Sequence, residues 1–112
     1  MPHGSNCIFC KIVAGEIPSK KVHEDDEFLA FHDIRPHAPV HFLVIPKRHI
    51  DSLAHVQDDD GPMLGRLMAL VPRLAQDNGL SAGFKTGINT GRDGGQEVDH
   101  LHVHVMGGWQ RG

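Results

Sequence analysis

Apolar and polar residues alternate strictly near the C-terminus, where the chain reads DHLHVHVMGG. Single aliphatic residues separate the three histidines His100, His102 and His104. An alternation with a period of two is typical of a β-strand with one buried face, because successive side chains point to opposite faces. The pattern therefore predicts a strand that turns its aliphatic residues toward a core and its three imidazoles toward the opposite face.

Three other segments have the composition of strands. Residues 27–33 (EFLAFHD) and 40–46 (VHFLVIP) are rich in aromatic and β-branched residues, and the turn-like IRPHAP separates them. This arrangement predicts an antiparallel pair. Because VHFLVI is continuously apolar, we expect residues 40–46 to form a central strand. Residues 83–89 (GFKTGIN) predict another strand, and the glycine-rich TGRDGGQEV connects it to the histidine strand.

One long helix is predicted over residues 58–79. Aspartates at its start supply N-cap candidates, Pro62 suits the first turn, and Asn78-Gly79 ends it. Pro72 lies inside the pattern and removes one backbone hydrogen bond, so we expect a kink or a locally irregular turn there. The predicted buried stripe consists of Met63, Leu64, Leu67, Met68, Val71, Leu74 and Ala75.

The order of these elements, strands then a helix then strands, favours an α+β fold with an antiparallel sheet. We expect the long helix to cover one face of the sheet and leave the other face for a site or a partner. The length of 112 residues fits a single domain, 1–112, in which residues 1–6 form a loose N-terminal arm.

Charge and hydropathy exclude several classes of partner. The chain has 11 basic and 14 acidic residues, with a formal net charge of -3, which disfavours binding to a nucleic-acid backbone. It has no apolar stretch long enough to span a bilayer and no signal-peptide pattern, so we expect a cytoplasmic protein without a membrane partner.

Three histidines on one strand face indicate chemistry, because imidazole can bind metal, transfer protons and act as a nucleophile near neutral pH. Two interpretations remain open from the residues alone. The histidines either chelate one catalytic metal that activates water, or divide their work so that one attacks phosphorus while its neighbours orient the substrate. The loop before the strand favours phosphate, since its glycines allow close backbone approach and Asn89 and Gln96 add amide donors.

The two cysteines, Cys7 and Cys10, form a C-x-x-C motif. Two cysteines exclude a disulfide framework, and a position ahead of any strong strand disfavours thioredoxin-type redox chemistry. Two thiolates can complete a closed tetrahedral zinc site with two histidines, for which His49 and one histidine of the triplet are candidates. We assign no chemistry to the remaining histidines His3, His23, His32, His37 and His55.

Three segments together, HFLVIPKRH, NTGRDGGQEV and HLHVHVMGG, closely resemble the histidine triad (HIT) superfamily. Its defining pattern, His-φ-His-φ-His-φ-φ with φ apolar, runs here from His100 to Met106. The Gly-Gly after the pattern resembles the branch of histidine triad nucleotide-binding proteins, many of whose bacterial members carry this C-x-x-C. The resemblance implies a sheet of about five antiparallel strands, one long helix and one short helix, and a two-fold homodimer with a continuous sheet.

The resemblance also implies an activity. His102 would attack the α-phosphorus of a purine nucleotide derivative, such as an AMP phosphoramidate or mixed anhydride, and water would then cleave the covalent nucleotidyl-histidine. His104 would contact the α-phosphate, and His41 matches a further active-site histidine. The phosphate or leaving-group side would be held by Asn89, Gly95 and Gln96, of which we count Gln96 among the catalytic residues.

The rest of the nucleotide pocket follows from the same resemblance. Asp33 matches the carboxylate that accepts both ribose hydroxyls, a pairing that suits a vicinal diol. Positions that sandwich the purine in the family correspond here to Ile8, Phe9, Ile12, Ile17, Phe31 and Ile34. From the pattern of residues alone, all six would be assigned to the core.

For the metal, the resemblance implies a structural zinc whose ligands are Cys7, Cys10, His49 and His100, with no metal required for the chemical step. Two alternatives to this hydrolase remain open. One is a zinc-stapled nucleotide-binding or interaction protein with negligible turnover, and the other is a metal hydrolase whose zinc is held by the three histidines. The second alternative requires open coordination and inhibition by chelators.

Overall fold

A computed structural model of the protein describes residues 6–109. Within that range five strands form one antiparallel sheet in the spatial order β1-β2-β3-β5-β4. The elements are α1 (Ile8–Val13), β1 (Lys21–Glu24), β2 (Phe28–His32), β3 (Val40–Pro46), α2 (Gly61–Asp77), β4 (Lys85–Gly87) and β5 (Val103–Gly107). This architecture confirms the α+β prediction with one long and one short helix, while most of the expected N-terminal arm and His3 lie outside the described residues.

The predicted antiparallel pair is confirmed. β2 pairs with β3 over its whole length, from Phe28 opposite Pro46 to His32 opposite Phe42. β3 lies between β2 and β5 and is buried along nearly all of its residues, as expected for a central strand. β1 has no counterpart among the predicted strands, because the edge sequence KVHE is too polar to show an alternating pattern.

The histidine strand is shorter than the alternation predicts. β5 begins at Val103, so His100 and His102 precede it. The register that places Val103 opposite Val44 would place residue 101 opposite Pro46. Proline has no N–H to donate, and the ladder therefore stops at this point. The segment before β5 is held instead by the Leu101 N–H, which donates to the Ile50 carbonyl over 2.7 Å.

The sheet buries both of its faces. Along β3, Phe42 and Val44 belong to the larger core with α2, whereas Leu43 and Ile45 belong to a smaller core on the opposite face. The aromatic ring of Phe9 from α1 packs into this smaller core. The face opposite α2 therefore carries a second, smaller core that α1 helps to form.

Helix α2 follows the prediction with one correction in its stripe. Met68 is 44% exposed, and Leu70 is buried in its place. Leu70 is separated from the buried Leu67 and Leu74 by three and four residues, so these three share one face. The helix runs from 61 to 77 without interruption at Pro72. In the part of the chain that the structure describes, no helix is long and apolar enough to cross a membrane.

Candidate functional site: a cysteine and histidine cluster beside a histidine relay

The functional histidines lie on the sheet face opposite α2. Val103 and Val105 of β5 belong to the α2 core, so the side chain of the intervening His104 points to the other face. His104 pairs with Leu43 of the smaller core, and His41 lies two residues before Leu43 on β3. The predicted separation of aliphatic residues from imidazoles is therefore confirmed.

The first histidine of the triplet belongs to a metal-capable group, which we name the Cys/His cluster. All of its ligand atoms lie within 4.8 Å of one another. The Sγ of Cys10 is 3.1 Å from His49 Nδ1, and the Sγ of Cys7 is 3.4 Å from His100 Nδ1. A tetrahedral zinc with ordinary bond lengths would separate sulfur and nitrogen ligands by roughly 3.6 Å. The members of the cluster are Cys7, Cys10, His49 and His100.

Both histidines of the cluster have their other ring nitrogen occupied. His49 Nε2 lies 2.5 Å from an Asp51 carboxylate oxygen, and His100 Nε2 lies 2.8 Å from the Pro46 carbonyl oxygen. These oxygens accept hydrogen bonds, so each Nε2 carries the proton and each Nδ1 presents a lone pair toward the thiols. A carboxylate or carbonyl behind a histidine is the usual second partner in metal sites. The donor set thus fits a closed metal site of two thiolates and two imidazoles.

The short helix α1 places the two cysteines. Cys7 is the N-cap residue of α1, and its Sγ accepts the backbone N–H of Cys10 over 3.3 Å. Residues three apart at a helix start lie on the same side, which brings both thiols to one point. Cys10 is buried. The C-x-x-C motif therefore links the N-terminal segment to the segment that carries the histidines.

The middle histidine presents a free lone pair at its outer nitrogen. His102 Nδ1 lies 2.6 Å from the His100 carbonyl oxygen, which can only accept. The proton of the neutral ring is therefore on Nδ1, and Nε2 presents the lone pair of a nucleophile. The ring is only 6% exposed, and Phe9 packs against it edge-on with centroids 5.2 Å apart. Packing and one backbone hydrogen bond thus orient this side chain.

The third histidine has the opposite tautomer because of a chain of hydrogen bonds that we name the histidine relay. The His37 backbone N–H donates to His41 Nδ1 over 3.0 Å, so the proton of neutral His41 is on Nε2. His41 Nε2 lies 2.9 Å from His104 Nδ1 and donates to it. The proton of His104 is consequently on its own Nε2. His102 and His104, whose ring centroids are 5.0 Å apart, therefore differ in which atom carries the proton.

Burial keeps the relay neutral. Desolvation lowers the pKa of His41, although the Asp33 carboxylate partly opposes this shift. Desolvation also lowers the pKa of His104 to about 4, and the neighbouring imidazoles of His102 and His41 add to the effect. At pH 7 both relay rings are therefore uncharged, which the assignment of tautomers requires.

The structure does not support a metal held by the three histidines together. Among residues 6–109, the two groups with metal-ligand geometry are the Cys/His cluster, which includes His100, and the set Asp33, His41 and His104. His102 belongs to neither. In the second set, His41 Nε2 carries a proton because its Nδ1 already accepts the His37 N–H, so a metal there would have to displace that proton. The two histidines of this set are better described as members of the histidine relay.

The predicted purine-binding residues divide into two groups. Phe9, Ile12 and Phe31 are buried, and Ile17 packs against the same smaller core. Their placement matches the assignment to the core that the pattern of residues predicts. Ile8 is 44% exposed and Ile34 is 91% exposed, so these two remain available to a ligand. Asp33, next to Ile34, places one carboxylate oxygen 3.5 Å from His41 Nε2, and its other oxygen accepts the Arg35 N–H.

The glycine-rich loop, residues 89–96, is closed by its own polar groups. Asn89 Nδ2 donates to the Gly94 carbonyl over 2.7 Å, and Gln96 Oε1 accepts the Gly91 N–H over 2.8 Å. Gly91 and Gly95 have φ values of 71° and 80°, a left-handed conformation that favours glycine. The predicted phosphate-binding amides of Asn89 and Gln96 therefore shape the loop.

Three groups with roles in the site have no counterpart in the sequence-based predictions. They are the Asp51 carboxylate, the Pro46 carbonyl and the His37 backbone N–H, each of which fixes the proton of one histidine. A carboxylate two residues after a candidate ligand, as in His49-x-Asp51, is a signal that points to a hydrogen-bonded metal histidine. Backbone groups give no sequence signal.

Comparisons with known proteins show what this chain is similar to. A family model described as "Scavenger mRNA decapping enzyme C-term binding" matches residues 6–110. Protein HitA of Neisseria gonorrhoeae is 59% identical over 102 residues, which cover 91% of this chain and 95% of that protein.

Solved structures with the same fold are also similar in sequence. A HIT family hydrolase from Legionella pneumophila is 49% identical with a TM-score of 0.91, and the match covers 94% of this chain and 95% of that one. A histidine triad protein from Clostridium difficile is 45% identical with a TM-score of 0.92, covering 98% of this chain and 96% of that one.

Proposed function

Because the chain belongs to the histidine triad superfamily, we propose that it hydrolyses purine nucleotide derivatives at the α-phosphorus through a covalent intermediate on His102. The observation that carries the proposal is the pair of opposite tautomers. His102 presents a lone pair at Nε2, and the adjacent His104 presents an N–H at Nε2. Phosphoryl transfer needs a positioned nucleophile and a donor to the phosphoryl oxygens, and these two rings supply both.

In the first step, the lone pair of His102 Nε2 forms a bond to the α-phosphorus. The bond from phosphorus to the leaving group breaks, and its electron pair departs with the leaving group, which takes a proton from solvent. For an AMP phosphoramidate the product is an amine. The His102 ring gains positive charge in this step, and the His100 carbonyl, which accepts its Nδ1–H, stabilises that charge.

In the second step, water attacks phosphorus and the bond to Nε2 breaks, so that its electron pair returns to the ring. The hydroxyl of the water remains on AMP. The other proton of the water passes to solvent and replaces the one that the leaving group took. His104 donates from Nε2 to a phosphoryl oxygen in both steps and keeps its proton. A neutral donor with a lowered pKa suits this role, because it stabilises charge without itself changing protonation state.

The exposed side chains beside the site support the choice of a nucleoside substrate. Ile8 and Ile34 offer apolar surface to a purine, and the half-buried Asp33 offers a carboxylate oxygen to the ribose hydroxyls. The loop of residues 89–96 would face the phosphate or leaving-group side through its backbone. The chemistry of these groups fits an AMP-like ligand and gives no preference for adenine over guanine.

We further propose that the Cys/His cluster holds a structural zinc ion. Two thiolates and two imidazoles would fill its tetrahedral coordination and leave no open position for a water molecule. When bound, zinc would supply a cross-link between α1 and the segment that carries His100. The chemical step at His102 would then need no added metal, since the nucleophile and the donor both belong to the chain.

The active form in this proposal is a homodimer. Met68 on α2 and Phe84 before β4 are among the exposed large apolar side chains, and Trp109 after β5 is also partly exposed. Phe84 and Trp109 line one surface cavity of about 300 Å³. A second copy of the chain would cover this apolar surface. Sedimentation velocity tests this point, and a monomer at micromolar concentration would contradict it.

Intact-protein mass spectrometry tests the covalent step. The protein is mixed with an adenosine phosphoramidate and quenched rapidly without acid, and the wild type is compared with His102→Ala. We expect one AMP adduct on the wild type and none on the variant. Product without an adduct would indicate direct attack by water. Neither adduct nor product would favour the alternative of a zinc-stapled nucleotide-binding protein with negligible turnover.

A further inference from the structure

Asp51 makes two contacts that point in different directions. Its carboxylate accepts from His49 Nε2, on the side of the ring opposite the nitrogen that faces Cys10. Its backbone carbonyl accepts from Gln96 Nε2 over 2.7 Å. A single residue therefore contacts both a member of the Cys/His cluster and the glycine-rich loop. Its partner in the loop, Gln96, lies 45 residues further along the chain.

Gln96 in turn determines the shape of the loop. Its side-chain oxygen accepts the Gly91 N–H over 2.8 Å, and its own backbone N–H donates to the Gly91 carbonyl over 3.0 Å. These two reciprocal hydrogen bonds close the loop at its base. The same side-chain amide donates to Asp51 and to the Val98 carbonyl. A shift of the Asp51 carbonyl would therefore displace the Gln96 side chain and weaken the hydrogen bonds that close the loop.

We infer that Asp51 is a positioning residue that couples metal binding in the Cys/His cluster to the conformation of the glycine-rich loop. A metal ion held by the cluster would fix the ring of His49, whose Nε2–H donates to the Asp51 carboxylate. The held residue presents its carbonyl to Gln96, which closes the loop. The inference rests on the metal site proposed for the Cys/His cluster and is independent of the reaction proposed at His102.

The Asp51 side chain is the component of this connection that a substitution can remove without touching a metal ligand. It is 54% exposed, so its replacement creates no cavity in the core. Asp51→Ala keeps the backbone carbonyl and removes the acceptor for His49. Asp51→Asn keeps an oxygen acceptor at the same position. The first substitution should therefore uncouple the two regions, and the second should preserve most of the coupling.

Amide hydrogen exchange measured by NMR on the full chain tests the inference. The amides of Gly91 and Gln96 report on the loop, and the amides of β3 report on the fold as a whole. When zinc is removed from the wild type with a chelator, we expect loop amides to exchange about tenfold faster while β3 stays protected. In Asp51→Ala saturated with zinc, the loop amides should already exchange at the faster rate.

Two controls complete the design. Asp77→Ala removes an exposed carboxylate at the end of α2 and should leave loop exchange unchanged. Asp51→Asn should restore protection of Gly91 and Gln96 to near the wild-type level. A zinc titration should show that Asp51→Ala weakens zinc binding by about tenfold, the usual cost of losing a hydrogen-bond partner behind a metal-bound histidine.

Loop amides that exchange equally fast with and without zinc, while β3 remains protected, would overturn the inference. If zinc removal also speeds exchange of the β3 amides, the fold as a whole has loosened. The test is then the comparison of zinc-saturated Asp51→Ala with zinc-saturated wild type. Equal loop protection in the two would overturn the coupling, and selectively faster exchange in the variant would support it. No substrate is present in this experiment, so its result is independent of whether His102 forms an adduct.

Discussion

The two ends of the histidine triad use the same side chain in opposite ways. His100 donates from Nε2 to the Pro46 carbonyl and turns the lone pair of Nδ1 toward two thiols. His104 accepts at Nδ1 from His41 and turns the N–H of Nε2 outward. One end is therefore suited to bind a cation, and the other is suited to donate to an anion.

This difference shows how one short segment can assign separate roles to residues of one type. A backbone carbonyl can only accept a hydrogen bond, and a backbone N–H can only donate one. Carbonyls therefore fix the protons of His100 and His102, and the His37 N–H fixes the proton of His104 through His41. Each role depends on which ring nitrogen meets the backbone.

Removing the middle histidine should have the largest effect on turnover. For His102→Asn we expect kcat with an adenosine phosphoramidate to fall by about 10⁴-fold or more, because the covalent route is lost. AMP binding should stay within about tenfold, because the nucleophile contributes mainly to the transition state. Steady-state kinetics and calorimetric titration with AMP measure the two quantities.

His32→Asn is the matched control, since it removes an exposed imidazole at the end of β2. It should leave kcat unchanged. Full activity of His102→Asn would refute the assignment of the nucleophile. A large loss of AMP affinity in that variant would mean that His102 acts mainly in binding.

Removing the thiols should change stability more than chemistry. Cys7→Ser combined with Cys10→Ser removes half of the ligands of the Cys/His cluster, and we expect metal content to fall to near zero. The lost cross-link should lower Tm by about 10 °C or more, since about 1 kcal/mol corresponds to several degrees in a domain of this size. Plasma emission spectrometry and calorimetry measure the metal content and Tm.

The kinetic result of the same double variant sharpens the comparison between the two ends. Below its Tm, kcat should fall by about tenfold at most, because the nucleophile and the relay remain in place. A loss as large as that of His102→Asn would show that the metal acts in the chemical step. Unchanged Tm and metal content would show that the metal is bound elsewhere or is absent.

Breaking the histidine relay should have an intermediate effect on turnover. His41→Phe removes the donor to His104 Nδ1, so the His104 proton is no longer fixed on Nε2. We expect kcat to fall by roughly 10- to 100-fold, less than the loss of a donor that touches the transition state. Nitrogen-15 NMR should show a single His104 tautomer in the wild type and a mixture in the variant. A single unchanged tautomer in His41→Phe would refute the relay.

The alternation of residues 100–105 was sufficient to predict the separation of imidazoles from the core, because period-two burial needs only local sequence. It could not predict that the strand would begin at Val103, since the limit is set by Pro46 on another strand. The stripe of α2 was predictable except at Met68, which is exposed, and Leu70, which is buried.

The division of labour at the site was harder to predict from the sequence. C-x-x-C and the triplet indicate metal and phosphate chemistry, but the spacing alone leaves open whether one metal takes all three imidazoles. The decision depends on hydrogen bonds that the Pro46 carbonyl and the Asp51 carboxylate accept and that the His37 N–H donates, and these groups come together only through the fold. Two of these partners are backbone atoms, which every residue carries, and they leave no trace in composition or spacing.

The smallest predicted effect concerns the pH dependence of stability. Burial lowers the pKa of His104 to about 4, below the value of about 6.5 in an unfolded chain. As pH falls below 6.5 the unfolded chain therefore binds a proton that the folded chain does not, and the unfolded state is favoured. The contribution of His104 to the free energy of unfolding should be complete above about pH 6.5 and lost progressively toward pH 4.

Urea unfolding at pH 7 and pH 5 should show a smaller loss of stability in His104→Asn than in the wild type, and NMR should place the His104 midpoint near 4. Equal losses, or a midpoint near that of a free imidazole, would mean that His104 is solvated in the folded protein and that the contrast between the two ends of the triad does not depend on its burial.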